Sequence, residues 1–436
     1  MSSKLKVIVF GLIISITIAA CSNAGQQTSS SGQVDGITAN SITIGGLASL
    51  TGPLTADFAP TFDGVSAYVD QINSQGGVWG RKINFAYKLD DGSDPSQDVD
   101  QARNLVTEFK VFAIVGVATP SFEAAGYLSN NGIPTFGMAI NPGWSPSKNM
   151  FGVGGSYVNF TGAQNEVAYL AEMTHSTKVA VLSYNIAESS QGCTGAIAGL
   201  KKYGIDVVYT DLGIPAPAVD LSADVANIAN KGANMVVSCM DLSGNLLLSQ
   251  QIHQQGLHVI QYWYDGYDPS SLNNPTDAQL MNSVYFSLQN APFSAGVQDP
   301  KAYPGMATYL ADMAKYFPSE LPSEASLDGF ASAYLFVNGL KMAGRDLTRT
   351  KLVNAINSIS SFTAGGILAP VDWRIAHTSS GSIDCQSFVQ VENGQFVNRF
   401  GSDGSLFTCF NTTLKNPKTV KTVNNVIGLP GAYATK

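Results

Sequence analysis

The residue types that most often do chemistry are sparse and scattered in this 436-residue chain. Its four histidines are His175, His253, His258 and His377. None falls in the HExxH spacing that sets two imidazoles on one helix face. His253 and His258 flank an expected helix end, where surface or capping roles account for them. The segment Gly143-Trp144-Ser145-Pro146-Ser147 comes nearest to a GxSxG nucleophile elbow, but it lacks the closing glycine and ends on a loop signal. No GxxxxGK[ST] phosphate loop exists, and Gly45-Gly46 after an expected strand is not GxGxxG. The cysteines show no CxxC spacing, so neither a zinc site nor any other metal or cofactor is expected.

What remains is a set of polar and aromatic residues where expected strands end. In the first half these are Ser49, Thr51, Asp57 and Phe58, then Thr119 and Ser121, then Ala139 to Asn141. In the second half they are Tyr184 and Ser189, Met240 and Asp241, and Asp265 with Tyr267. Open α/β sheets bind ligands outside the carboxyl ends of their strands. Hydroxyls, backbone N–H groups and helix N-termini there suit a carboxylate. Asp241 and Asp265 suit an ammonium. Thr51, Thr119 and Asp241 are equally well explained as helix caps or turn formers.

The elements that must position these residues alternate between two periods. Residues 41–50 read as a strand, and Val65, Tyr68, Val69 and Ile72 repeat at helical spacing. Ile83, Phe85, Tyr87 and Leu89 alternate as a half-buried strand should. The apolar run 112–117 fits a central parallel strand. From residue 178 the strand–helix alternation starts again, after a Gly-rich stretch at 151–162. After Asn290 the chain is helical without strands of its own, so it is expected to cross back. The resulting fold class is α/β: two Rossmann-like lobes, parallel sheets with flanking helices, joined by a multi-strand hinge. The first lobe is assigned 37–155 plus 290–365, the second 156–289 plus 366–425. A hinge of several crossings makes a cleft that opens and closes.

The N-terminus adds a location. Lys4 and Lys6 precede an uncharged run to Ala20 and then Cys21, so residues 1–20 read as a signal peptide. Residues 21–36, rich in Ser, Gln and Gly, read as a flexible tether. Without Lys4 and Lys6 the chain has 22 basic and 32 acidic residues, a net charge of −10. That balance argues against nucleic acid as a partner. Four cysteines remain beside Cys21, an even number that suggests disulfides in an exported chain. Three pairings are possible. Cys385–Cys409 is preferred because both flank short strand-like runs in one small segment, which leaves Cys193 with Cys239; free buried thiols are the alternative.

Ile18-Ala19-Ala20-Cys21 resembles the bacterial lipobox, which implies acylation of the Cys21 thiol and a lipid anchor on the cell membrane. A wider resemblance lies further on. Ile42-Thr43-Ile44-Gly45, Thr51-Gly52-Pro53, Gly64, Ile72-Asn73 and Gly76-Gly77-Val78-Trp79-Gly80-Arg81-Lys82-Ile83 look like the start of periplasmic leucine/isoleucine/valine-binding proteins. Asp90-Asp91 and Asp94-Pro95 match that family's next turn, and Asn234 to Val237, Gly256-Leu257 and Asp265-Gly266 keep the register through the second half. The resemblance implies a type I periplasmic-binding clamshell that delivers its solute to an ABC permease. It places a carboxylate at Thr119, Ser121, Ala139 and Asn141, an ammonium at Asp265, and aromatic wall positions at Asp57 or Phe58 and at Phe330. The usual Tyr-Gly after the second lobe's first strand reads Ser189-Ser190 here, and the serine-rich loop reads Ala118-Thr119-Pro120-Ser121. A branched-chain amino acid, an amide, an aromatic acid or another small carboxylate all remain compatible. The segment around Cys385 and Cys409 resembles a C-terminal extension of some relatives.

The expectation is therefore a monomeric extracytoplasmic solute-binding lipoprotein of an ABC uptake system, with a ligand-sensing module for a membrane receptor as the alternative. An exported hydrolase needs a constellation that the sequence does not display.

Overall fold

The computed structural model describes residues 34–52, 54–157, 162–378, 385–400 and 406–410. The expected signal peptide, Cys21, most of the tether and the chain beyond 410 lie outside them.

Five strands form the first sheet: β1 Ser41–Ala48, β2 Lys82–Asp90, β3 Ala113–Ala118, β4 Thr135–Gly137 and β5 Met150–Gly152. They run parallel in the order β2-β1-β3-β4-β5. β3 is buried along its whole length, as its unbroken apolar run requires, whereas the edge strand β2 alternates in burial. The second sheet begins with β6 Lys178–Tyr184, β7 Asp206–Ile214, β8 Met235–Cys239, β9 Ile260–Trp263 and β10 Tyr285–Leu288. It is extended by β11 Cys385–Glu392, β12 Gln395–Arg399 and β13 Thr408–Cys409. Its order is β12-β11-β10-β9-β8-β6-β7, with β13 paired to β11. β6 to β10 pair in parallel; β11 joins β10 antiparallel.

Helices Pro304–Tyr316 and Glu324–Ala343 do cross back to the first sheet. Helix Glu324–Ala343 lies against helix Thr61–Ser74, and glycine makes the approach possible. A Cβ on Gly64 would lie 1.7 Å from the Ser326 carbonyl oxygen, and one on Gly329 would lie 2.0 Å from that of Thr61. The Thr61 hydroxyl donates to the Ala325 carbonyl across the same contact, at 3.0 Å.

Residues 366–378, assigned from sequence to the second lobe, pack instead on the first. Trp373 and His377 meet the ring of Phe151 in β5 at 5.2 and 5.6 Å, and Ser156 donates its N–H to the Ala376 carbonyl. Val-Asp-Trp reads as β-like, yet only Val371 makes a bridge, to Phe362. Burying Trp373 outweighs local strand propensity there. The sulfurs are bonded as Cys193–Cys239 and Cys385–Cys409, so the free-thiol alternative falls away.

Candidate functional site

The strand orders define where a solute would sit. The first sheet reverses its direction of growth between β1 and β3, the second between β6 and β8. In open α/β sheets the loops at the carboxyl ends of such strand pairs are where a ligand binds. Here they carry residues 49–58 and 119–124 in one lobe, and 185–189 and 240–241 in the other.

Three carboxylates converge there from both lobes. Asp57 sits in the short helix Thr55–Phe58 after β1 and is half-buried. Its carboxyl is pushed up to about 7, by burial first, then by the charges of Asp265 and Asp241. Those two acids belong to the second lobe, so the field runs across the cleft. Asp265 follows β9 and is pushed up to about 6. Burial is its largest cause, the backbone N–H groups of Gly266 and Leu242 pull it back down, and Asp241 and Asp268 raise it. Asp241 is fixed more firmly. It caps helix Leu242–Gln254 by accepting the Gly244 N–H at 2.9 Å, and it also accepts the Tyr184 hydroxyl at 2.6 Å and the Ser243 hydroxyl at 2.8 Å. The cap and ligand readings of Asp241 therefore share one side chain.

Two acids escaped sequence reasoning. Glu324 and Asp328 occupy the first turns of helix Glu324–Ala343, four residues apart and so on one face. Burial raises Glu324 well above the carboxylate range, and Asp328, Asp265 and Asp268 add to it. Asp328 is pushed up to about 7 by burial. The i, i+4 acidic pair at a helix start was the available signal. It was missed because the apolar pattern begins only at Leu327, and because the capping box uses Ser323 with Ser326 rather than the expected Glu or Gln. The charged groups that shift Asp57, Asp265 and Glu324 are all acids.

The remaining expected residues divide into donors and scaffolding. Asn141 caps the turn Pro142–Trp144 through its Oδ1, while its Nδ2 has no partner among the described residues and can donate. Ala139 and Ser121 are half-buried at the ends of β4 and β3. The buried Thr119 hydroxyl is engaged in its own turn with Ser121, at 3.2 and 3.4 Å. Ser189 is a structural tie: its hydroxyl donates to the Cys239 carbonyl at 2.5 Å and accepts the Tyr184 N–H at 2.9 Å. Phe58 is only 6% exposed and packs with Ala48, Phe62 and Ala118 beneath the cleft. Phe330 has no exposed surface, because Tyr68 and Tyr309 enclose its ring edge-on at 4.8 and 5.4 Å. It shapes the first lobe's core and presents no wall to a solute.

Among the described residues no group of three or more His, Cys, Asp and Glu is placed to hold a metal ion.

A class follows from two sheets, each with a switch point, and polar groups converging there from both lobes. Residues 41–395 match the family model described as periplasmic binding protein, and the chain belongs to that family. Among its relatives is the Leu/Ile/Val-binding protein homolog 3 of Brucella melitensis, 26% identical over 317 residues, or 70% of this chain and 79% of the relative. The fold is also that of the fatty acid ABC transporter substrate-binding protein from Thermomonospora curvata (TM-score 0.67, 19% identity, 86% of this chain and 95% of that one). It is equally that of the branched-chain amino acid transporter substrate-binding protein LivJ from Streptococcus pneumoniae in complex with isoleucine (TM-score 0.66, 19% identity, 82% and 100%). By family the protein is a binding protein rather than an enzyme.

Proposed function

We propose that this chain is the lipid-anchored, extracytoplasmic receptor of an ABC uptake system for a small amino acid or closely related amine-bearing carboxylate or amide. The observation that carries the reading is the mutual repulsion of Asp57 with Asp265 and Asp241 across the cleft. An ammonium between the lobes relieves that repulsion, and only the closed state brings both lobes to it. The solute therefore shifts the population toward closure. Its acidic or amide end lies toward Asn141 Nδ2 and the backbone of residues 119–121. Cys21 supplies the anchor, and a permease reads the closed form.

Thermal-shift and calorimetric titration with matched solutes tests this. Amino acids should raise the melting temperature saturably, while acids of the same shape without the amine should not. Affinity should fall as pH drops from 7 to 6, because Asp57 and Asp265 then take up protons that a cation must displace. Asp265→Asn should weaken binding at least tenfold. Equal stabilisation by an amine-free fatty or aromatic acid, unchanged in Asp265→Asn, would overturn the amine assignment.

A further inference from the structure

The end of the first lobe remote from the cleft carries a feature that solute binding leaves unused. Trp79 is 46% exposed, and its backbone lies at φ 53°, a conformation rarely tolerated by a bulky side chain. Its indole N–H is held by the Leu340 carbonyl at 3.1 Å, two residues before Met342, which is 48% exposed. The fold thus accepts local backbone strain to hold a tryptophan in solvent at the end of the lobe that also exposes Met342. The strand register places them: Lys82, three residues on, opens β2 opposite Ser41 at the start of β1, while Asp90 and Ala48 pair at the cleft end.

The same end gathers positive charge. The segments 34–38, 79–82, 110–112 and 340–349 contain six bases and two acids, Asp35 and Asp346, although the chain as a whole has 24 bases and 32 acids. Contacts join the segments. Arg81 donates to the carbonyls of Thr38 at 2.9 Å and Arg345 at 3.0 Å, and Arg349 donates to those of Val111 and Phe112 at 2.7 and 3.0 Å. Lys82, Lys110, Lys341 and Arg345 are exposed. An amphipathic indole ringed by Lys and Arg is the composition that rests at an anionic lipid headgroup layer. The described chain also begins here, at Val34. Only twelve residues separate it from Cys21, a reach of at most about 45 Å.

We propose that this face, centred on Trp79 and Met342, lies against anionic phospholipid. The contact rests on the anchored reading for its high local concentration and on its own side chains for its affinity. Docked this way, the protein points its cleft away from the bilayer, toward the solution that supplies the solute.

Trp79 is its own reporter. Trp144, Trp263 and Trp373 are at most 1% exposed, so a lipid-borne quencher can reach only Trp79. The full acylated chain is reconstituted on phosphatidylglycerol or phosphatidylcholine vesicles containing brominated lipid, and vesicle flotation is measured beside tryptophan emission. The expected result is quenching on phosphatidylglycerol that vanishes in Trp79→Phe and drops at least twofold in Lys341→Glu with Arg345→Glu, with flotation unchanged. Protein that floats without quenching overturns the proposal, as does quenching that survives Trp79→Phe or that needs the permease to be present. Loss of flotation speaks to the Cys21 anchor alone. In that event, vesicles added in excess test the face directly, and absent quenching there overturns it.

Discussion

In the first lobe, helices Thr61–Ser74 and Glu324–Ala343 meet backbone to backbone over an all-parallel sheet, and no cysteine takes part. In the second, both disulfides are present, and an antiparallel pair, β11 and β12, extends the sheet beyond β10. One lobe is held by shape, the other is stapled. The difference matters for the cleft. Cys239 ends β8 two residues before Asp241, and the hydroxyl of Ser189 ties the Cys239 carbonyl. The staple therefore sits directly behind Asp241, whereas the glycine contact sits behind Thr61, next to the apolar layer under Asp57.

The largest expected effect comes from breaking the shape-held lobe. Gly64→Leu puts side-chain atoms into the Ser326 backbone, and separating the helices should cost about 3 kcal/mol or more. Denaturant unfolding should show the variant unfolded or split into two transitions, with the second lobe persisting. Removing the staples comes next. Loop-closure entropy predicts a loss of roughly 4 kcal/mol for Cys193→Ala with Cys239→Ala, and about 3.5 kcal/mol for Cys385→Ala with Cys409→Ala, given sequence separations of 46 and 24. Only the first pair should also weaken solute affinity, and reductant should reproduce both effects on the wild type while leaving the Gly64 contact untouched.

A smaller effect belongs to one buried carboxyl of the first lobe. Asp98 has no exposed surface and accepts the Ala124 N–H at 2.6 Å through one oxygen, while the other has no hydrogen-bond partner among the described residues. Burial pushes it from its ordinary 3.8 up to about 7, with the neighbouring charges of Asp91 and Glu123 adding to the rise. A raised pKa means that the folded state holds the proton more tightly than the unfolded chain. Its stabilising contribution is thus complete below about pH 4 and lost as pH rises through 7. Asp98→Asn should flatten the decline in melting temperature between pH 5 and 8, and at pH 8 it should melt a few degrees above wild type. A variant that melts lower than wild type at pH 8 would show that the ionised carboxylate is stabilised in place.

Much of the fold was legible because its central strands are short apolar runs between turn signals, as in β3, β6 and β8. The return of the chain after Asn290 was legible from the lack of strands that could cover those helices. The tail was less so: residues 366–378 carry strand-forming residues, but the aromatic contact of Trp373 with Phe151 decides their place. For the candidate site, strand ends pointed to loops that gather at one edge of each parallel sheet. They did not separate hydroxyls that face a solute from hydroxyls consumed locally, as at Thr119 and Ser189, because that depends on partners distant in sequence. Phe330 looked like a wall residue for the same reason.

The crossing helix has a consequence in time as well as in space. Part of the layer that covers β3 and β4 is supplied by residues 324–343, and β11 and β12 come later still. Neither sheet can complete its packing until most of the polypeptide has been synthesised. Such distant contacts make folding slow relative to chains that close locally. A ribosome-stalled series should show protease resistance only once residue 343 and the ensuing tail have cleared the exit tunnel.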